Sequence, residues 1–221
     1  MPLPVSKSQP ECNEKGLDPM KLYYKPGACS LASHVVLHEA GIAFDIEEVD
    51  TQAGRTKSGA DYTAINPKGY VPALELASGE VLTEGASILQ YIADQHPESD
   101  LAPKAGTIAR ARLQEHLNYT ASELHKAFGP FFSGTADEAD KQAAGKAVAR
   151  KFDYLNDILS DGRTYLLGDS FSVADAYLFV VANWSNFTGI DLKKWPAVAA
   201  FVERVAARPA AQTAMKAEGL L

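Results

Sequence analysis

The chain has 221 residues, 46% of them hydrophobic, and a formal net charge of −7 at pH 7. That length and apolar share suffice for a sizeable core, in one large domain or two small ones. The acidic balance, with no run of lysines or arginines to reverse it locally, speaks against a nucleic-acid partner, and apolar runs such as 177–182 are too short to cross a bilayer.

Residues 1–19, "MPLPVSKSQPECNEKGLDP", lack the apolar region and small-residue cleavage site of a secretory signal and read as a flexible tail outside the fold. Cys12 and Cys29 are the only cysteines, so neither a disulfide framework nor a cysteine zinc site is available, and a reducing, cytoplasmic setting is expected.

"KLYY" at 21–24 predicts a strand, followed by a helix over about 31–40 that Gly41 can end in the left-handed conformation. "AFDIEEV" at 43–49 predicts a second strand. Strand, crossover helix and strand make a right-handed βαβ unit with the two strands parallel. His34 and His38 are four apart on that helix, the spacing of a metal pair, but no third ligand lies nearby and they read as solvated helix residues.

"VPALEL" at 71–76 and "EVLT" at 80–83, joined by Ser78-Gly79, predict an antiparallel hairpin. A helix over about 84–95 carries Ile88, Leu89 and Ile92 at helical spacing, and the proline-bearing stretch 96–103 then breaks the pattern. The expected division is a first domain over 20–97, a linker over 98–104 and a second domain over 105–221.

Beyond the linker only helical periodicity remains. Leu113, Leu117, Ala121, Leu124 and Phe128 form one stripe, Val148, Phe152, Leu155 and Leu159 a second, and Val173, Tyr177, Val180 and Trp184 a third. Val198, Phe201, Val202 and Val205 form a last one before "RP" at 208–209, with a short terminal helix expected after it. Ser172 stands three residues before Asp175, the spacing of a helix-opening box in which each side chain serves the other's amide.

Cys29 lies between a Pro-Gly bend and the expected helix start. If Ser30 caps that helix, the first-turn amides and Lys25 favour a thiolate at Cys29. Packing as a small buried hydrophobe is the alternative, and local sequence leaves both open. Residue 32 is alanine, so Cys29 has no C-x-x-C partner and redox turnover needs a second thiol from outside.

In order along the chain, "MKLYYKPGACSLASHVVL", "INPKGYVPALEL", "LTEGASILQYIAD", "ASELHK" and "SVADAYLF" resemble the motifs of the bacterial beta-class glutathione transferases, from Met20 to Leu221. The "PGACS" segment followed by "ELHK" is the more class-specific part. The resemblance implies an α/β plus all-α protein: a thioredoxin-like N-terminal domain (βαβ-α-ββα), an all-helical C-terminal domain and usually a homodimer, with glutathione as cosubstrate between the domains and no metal.

By the same resemblance, Cys29 contacts the glutathione sulfur or forms a mixed disulfide with it. Val71-Pro72 is the family's cis peptide, whose exposed Val71 backbone pairs with the cysteinyl part as an added strand. Glu84 and the amides at Gly85 meet the γ-glutamyl end. Asn118 and Glu123 help hold glutathione, while His125 and Lys126 border the electrophile pocket with Tyr24 and Phe128, and His125 is close to the sulfur. Asn118, Ser122 and His125, at i, i+4 and i+7, are expected on one polar stripe. The family's lysine near position 54 is here Gly54, with Arg55 next to it as a substitute for the glycyl carboxylate contact.

Three functions follow in order of fit. The first is conjugation of glutathione to small hydrophobic electrophiles, with detoxification as its setting. The second is glutathione-dependent thiol transfer or reductive dehalogenation through Cys29, with a phenol of Tyr23 or Tyr24 as an alternative activating donor for the sulfur. The third is a carrier of apolar ligands without turnover.

Overall fold

The computed structural model describes residues 20–221; the tail read over 1–19, with Cys12, lies outside the described residues. The N-terminal unit runs β1 (Met20–Tyr24), α1 (Ser30–Glu39), β2 (Phe44–Asp50), β3 (Arg55–Thr56), α2 (Tyr62–Ile65), β4 (Ala73–Glu75), β5 (Val81–Thr83) and α3 (Gly85–Gln95). Its sheet has the order β3-β2-β1-β4-β5; β1 and β2 are parallel, as the βαβ reading requires, and every other pairing is antiparallel. This is the thioredoxin-like arrangement. Two-residue β3 and four-residue α2 carry no readable period and were not expected, and the hairpin strands are shorter than their apolar runs.

Gly41 does take a left-handed φ of 65°, and α1 closes as the Ala40 N–H donates to the Val36 carbonyl and the Gly41 N–H to the His38 carbonyl. Helix α1 is buried from Ser30 through Leu37 because it has the sheet on one side and helices on the other. That double burial corrects the reading of His34. Its side chain is 1% exposed, and its Nδ1 lies 2.9 Å from Glu218 Oε1.

The C-terminal unit is helical: α4 (Ile108–Tyr119), a π-helical turn (Thr120–Leu124), α5 (His125–Phe132), α6 (Glu138–Leu159), α7 (Val173–Asn183), α8 (Ser185–Thr188), α9 (Pro196–Ala206) and α10 (Pro209–Ala217). Helix α7 is buried on every side from Val173 to Ala182, so it is the central rod of the bundle, and it also packs on α1 and α3. The apolar stripes read from α6 and α9 are buried at every position named.

Ser172 and Asp175 form the helix-opening box of α7. The Asp175 carboxylate accepts from the Ser172 N–H at 2.8 Å and hydroxyl at 2.6 Å, and also from the Leu166 N–H at 2.8 Å, so it pins the preceding loop as well as the helix start. Two ion pairs tie the units together: Arg110 to Asp94 in bidentate fashion, and Arg208 to both oxygens of Glu39 at 2.6 and 2.8 Å.

Among the described residues no helix is long and apolar enough to cross a membrane, and no cluster of side chains could hold a metal ion.

Candidate active site

A cleft of about 690 Å³ opens between the two units, a volume suited to a ligand of peptide size. One wall begins at the bend after β1. The Ala28 N–H closes a turn onto the Lys25 carbonyl, and Gly27 is held from two sides: its N–H donates to Glu218 Oε2 at 2.9 Å, and its carbonyl accepts from Trp184 Nε1 at 2.9 Å. The Glu218 contact depends on Gly219, whose φ of 71° ends α10 and lets the Leu220 N–H reach back to the Met215 carbonyl. Leu220 is thereby placed on the cleft wall beside Gly27.

Cys29 follows this bend and lines the cleft. Ser30 does not cap α1; it is the first helical residue, and its hydroxyl both accepts from the Lys25 N–H and donates to the Lys25 carbonyl. Nor is a thiolate favoured. Burial pushes the Cys29 thiol up to about 11, the Cys29 and Ser30 backbone amides pulling back only in part. The sulfur donates to the Val71 carbonyl at 3.4 Å, a bond that needs the thiol proton.

The second wall comes from the segment before β4 and the start of α3. The Val71-Pro72 peptide is cis, and both residues line the cleft. Glu84 sits just before α3 at a φ of 72°, a left-handed conformation uncommon outside glycine, and its carboxylate stands beside the helix N-terminus at Gly85. Lys68 Nζ at 2.5 Å and the Tyr70 hydroxyl at 3.0 Å both donate to Glu84 Oε1 and hold it below the usual carboxylate range, so it is ionised.

The helical unit supplies the third wall. The π turn Thr120–Leu124 interrupts the run from α4 to α5 and changes the angular register just before His125. The expected stripe of Asn118, Ser122 and His125 is therefore split: Asn118 and Ser122 face solvent, while His125 and Lys126 line the cleft. His125 Nδ1 is 2.9 Å from the Tyr177 hydroxyl, and the Trp184 ring meets the imidazole edge-on at 4.7 Å. Burial, with Lys126 adding to it, lowers His125 to about 4, so the ring is neutral at neutral pH.

Five residues expected at the site are not brought to the cleft. Tyr24 is 6% exposed and faces His34 in the core; Phe128 is fully buried and packs behind the wall on Phe152 and Trp184. Arg55 turns away, its guanidinium donating to the Gly59 carbonyl at 3.1 Å. Asn118 is exposed, and Glu123 is paired with Lys151. Tyr23 is no activating donor either, since its hydroxyl gives its hydrogen bond to Glu75 Oε2 at 2.6 Å.

In their place the cleft carries Lys25 and Thr51, which are hydrogen-bonded to each other, and the aromatic residues Phe132, Tyr177, Trp184 and Phe187. Tyr177 and Trp184 had an apolar helical period that is indistinguishable from core. Phe132 and Phe187, at 57% and 69% exposure, had no sequence signal, and neither did Leu220.

A thioredoxin-like domain joined to a helical bundle, with a cysteine, a cis-proline strand start and an acid-marked helix N-terminus in the shared cleft, defines a two-domain protein of the thiol-handling kind. The comparisons agree with that class. The family models described as the glutathione S-transferase N-terminal and C-terminal domains match residues 27–95 and 119–209. Glutathione S-transferase GstA of Escherichia coli O157:H7 is 45% identical over 201 residues, covering 91% of this chain and 100% of that one.

A glutathione transferase structure from Methylococcus capsulatus is 55% identical with a TM-score of 0.90, covering 91% of this chain and all of the other. The beta-class glutathione S-transferase of Sphingomonas chungbukensis is 46% identical at the same coverage, with a TM-score of 0.88. The chain belongs to the glutathione S-transferase family, and its likeness is to bacterial beta-class members.

Proposed function

We propose that this protein conjugates glutathione to small hydrophobic electrophiles, working as a cytoplasmic homodimer. The observation that carries the reading is the convergence of Cys29, Val71, Glu84 and His125 on one cleft that is also lined by the aromatic residues Phe132, Tyr177, Trp184 and Phe187. In this reading the Val71 backbone pairs with the cysteinyl part of glutathione, Glu84 takes the γ-glutamyl ammonium and the free amides opening α3 take its carboxylate. With Arg55 turned away, Lys25 is the cation at the other end for the glycyl carboxylate. The electrophile lies against Phe132, Trp184 and Phe187.

The test is purified protein on immobilised glutathione followed by assay against a broad electrophile panel. Binding and conjugation of at least one electrophile are expected. A protein that neither binds glutathione nor conjugates any member sinks the reading, and tight binding of apolar ligands without turnover favours the carrier.

Thiol transfer is the second reading, supported by the Cys29 sulfur lining the same cleft. Here the Cys29 thiolate attacks oxidised glutathione, an S–S bond to Cys29 forms, the original disulfide breaks, and one glutathione leaves as thiolate to take up a proton. Incubation with oxidised glutathione should give a single glutathione-sized mass increase in a Cys12→Ser background and none in the added Cys29→Ala variant.

Because burial raises the thiol to about 11, the resting protein should react slowly. Iodoacetamide alkylation of Cys29 at pH 7 should run roughly 30-fold below that of a free cysteine, the lost thiolate fraction being partly offset by the greater nucleophilicity of a more basic sulfur. The rate should climb about tenfold per pH unit through pH 9. A plateau below pH 8 would show an activated thiolate instead.

A further inference from the structure

His125 lines the cleft, and its two ring nitrogens have different fates. Nδ1 faces the Tyr177 hydroxyl at 2.9 Å. Nε2 has no hydrogen-bond partner among the described residues and is not enclosed, so it opens to the cleft. Which proton pattern the ring adopts is decided by what Tyr177 does.

Tyr177 comes from the central helix α7 and is 5% exposed, so its position is set by core packing rather than by the ligand. A phenol gives a hydrogen bond more readily than it accepts one, and burial keeps this one protonated. With a neutral imidazole, donation from the Tyr177 hydroxyl to Nδ1 leaves the ring proton on Nε2. The reverse pattern, Nδ1–H to the phenol oxygen, would leave the phenol proton without this acceptor and make Nε2 an acceptor facing the cleft.

The ring plane is fixed as well. Tyr177 meets the imidazole at an interplanar angle of 89° and Trp184 at 76°, and Trp184 is itself anchored to the Gly27 carbonyl, two residues before Cys29. The imidazole thus has its tautomer set from one side and its tilt from another.

We propose that Tyr177 is a positioning residue: by donating to His125 Nδ1 it holds the imidazole as the Nε2–H tautomer, a neutral donor presented to the thiolate sulfur of bound glutathione. This rests on the proposed glutathione reading for the identity of the sulfur, while the tautomer itself follows from the protein's own residues. The arrangement resembles the general rule that the partner of one imidazole nitrogen fixes the chemistry of the other.

The experiment is Tyr177→Phe, which removes one oxygen and keeps the ring that packs in α7. In the wild type, the long-range proton–nitrogen NMR correlations of His125 should have the pattern of a single Nε2–H tautomer; in Tyr177→Phe they should average toward a mixture. With glutathione and an electrophile that the wild type turns over, kcat should fall about tenfold, the worth of one hydrogen bond, while the KM for glutathione stays within about twofold.

His125→Phe should lose at least as much, and the double variant no more than His125→Phe alone, because Tyr177 acts only through the histidine. An Nδ1–H tautomer in the wild type, an unchanged NMR pattern in Tyr177→Phe, or losses that multiply in the double variant would each overturn the proposal. Failure of the wild type to use glutathione would instead strike the functional reading, since the NMR comparison still reads the tautomer.

Discussion

Asp175→Ala should lose roughly 4 kcal/mol of folding stability, enough to leave much of the chain unfolded at moderate temperature, given total stabilities of about 5–15 kcal/mol. The carboxylate is fully buried and accepts three hydrogen bonds, from the Leu166 N–H, the Ser172 N–H and the Ser172 hydroxyl. Alanine leaves those donors without a partner inside the bundle, at about 1–3 kcal/mol for each one that cannot find water. Ser172→Ala removes only the hydroxyl and should cost about 1 kcal/mol. Urea unfolding of both variants checks the ranking; an Asp175→Ala loss under 1 kcal/mol would mean the loop and helix start are held by something else.

The same residue has a pH signature. Burial raises Asp175 in the folded protein to about 6, against 3.8 for the ordinary carboxyl, so the folded state favours its protonated form. Its contribution is therefore fully present below about pH 4 and is lost as pH rises through about 6, by about 3 kcal/mol. Asp175→Asn carries no such charge, and its stability should lack that component when unfolding is followed between pH 4 and 7.

Glu218→Ala should cost about 3 kcal/mol and disturb the cleft as well as the fold. One carboxylate serves two partners far from it in the chain, the buried His34 Nδ1 through Oε1 and the part-buried Gly27 N–H through Oε2, each at 2.9 Å. Its side chain has no exposure, so water does not readily replace it. Losing it leaves both groups unpaired and frees the bend that positions Cys29. Glu218→Gln keeps one acceptor oxygen and should cost about half as much. Thermal unfolding gives the stability ranking, and hydrogen exchange at the Gly27 and Ala28 amides should accelerate more in Glu218→Ala than exchange in α6. Unchanged exchange at the bend would remove the link between the chain's last turn and the cysteine.

Much of this molecule is legible in short-range pattern. The parallel β1 and β2 flanking α1, the turn at Gly41, the stripes of α6 and α9, and the opening box of α7 each follow from spacings of two to four residues, because a strand or helix repeats at that interval. The motifs around Cys29, Val71-Pro72, Glu84 and His125 also stood out, since they join a special backbone position to a chemically active side chain.

Residues that misled did so where a distant segment decided their surroundings. His34 has the local look of a solvated helix residue, yet the α10 terminus covers it and provides Glu218. Tyr24 and Phe128 lie within a few residues of cleft side chains, but strand alternation and helix rotation turn them into the core. Arg55 follows Gly54 in the chain but points toward Gly59.

By itself, then, the sequence determined the longer elements, the two-part layout and the family, all of which rest on local periodicity or on motif identity, but not β3, α2 or the π turn before His125. Only the tertiary structure decided which side chains share the cleft, that the Cys29 thiol is neutral, and that His125 is paired with Tyr177. The physical reason is that burial, hydrogen-bond partnership and proton affinity are set by whatever lies within a few ångströms, and here those neighbours come from segments far apart in the chain: Gly27 with Trp184 and Glu218, His125 with Tyr177.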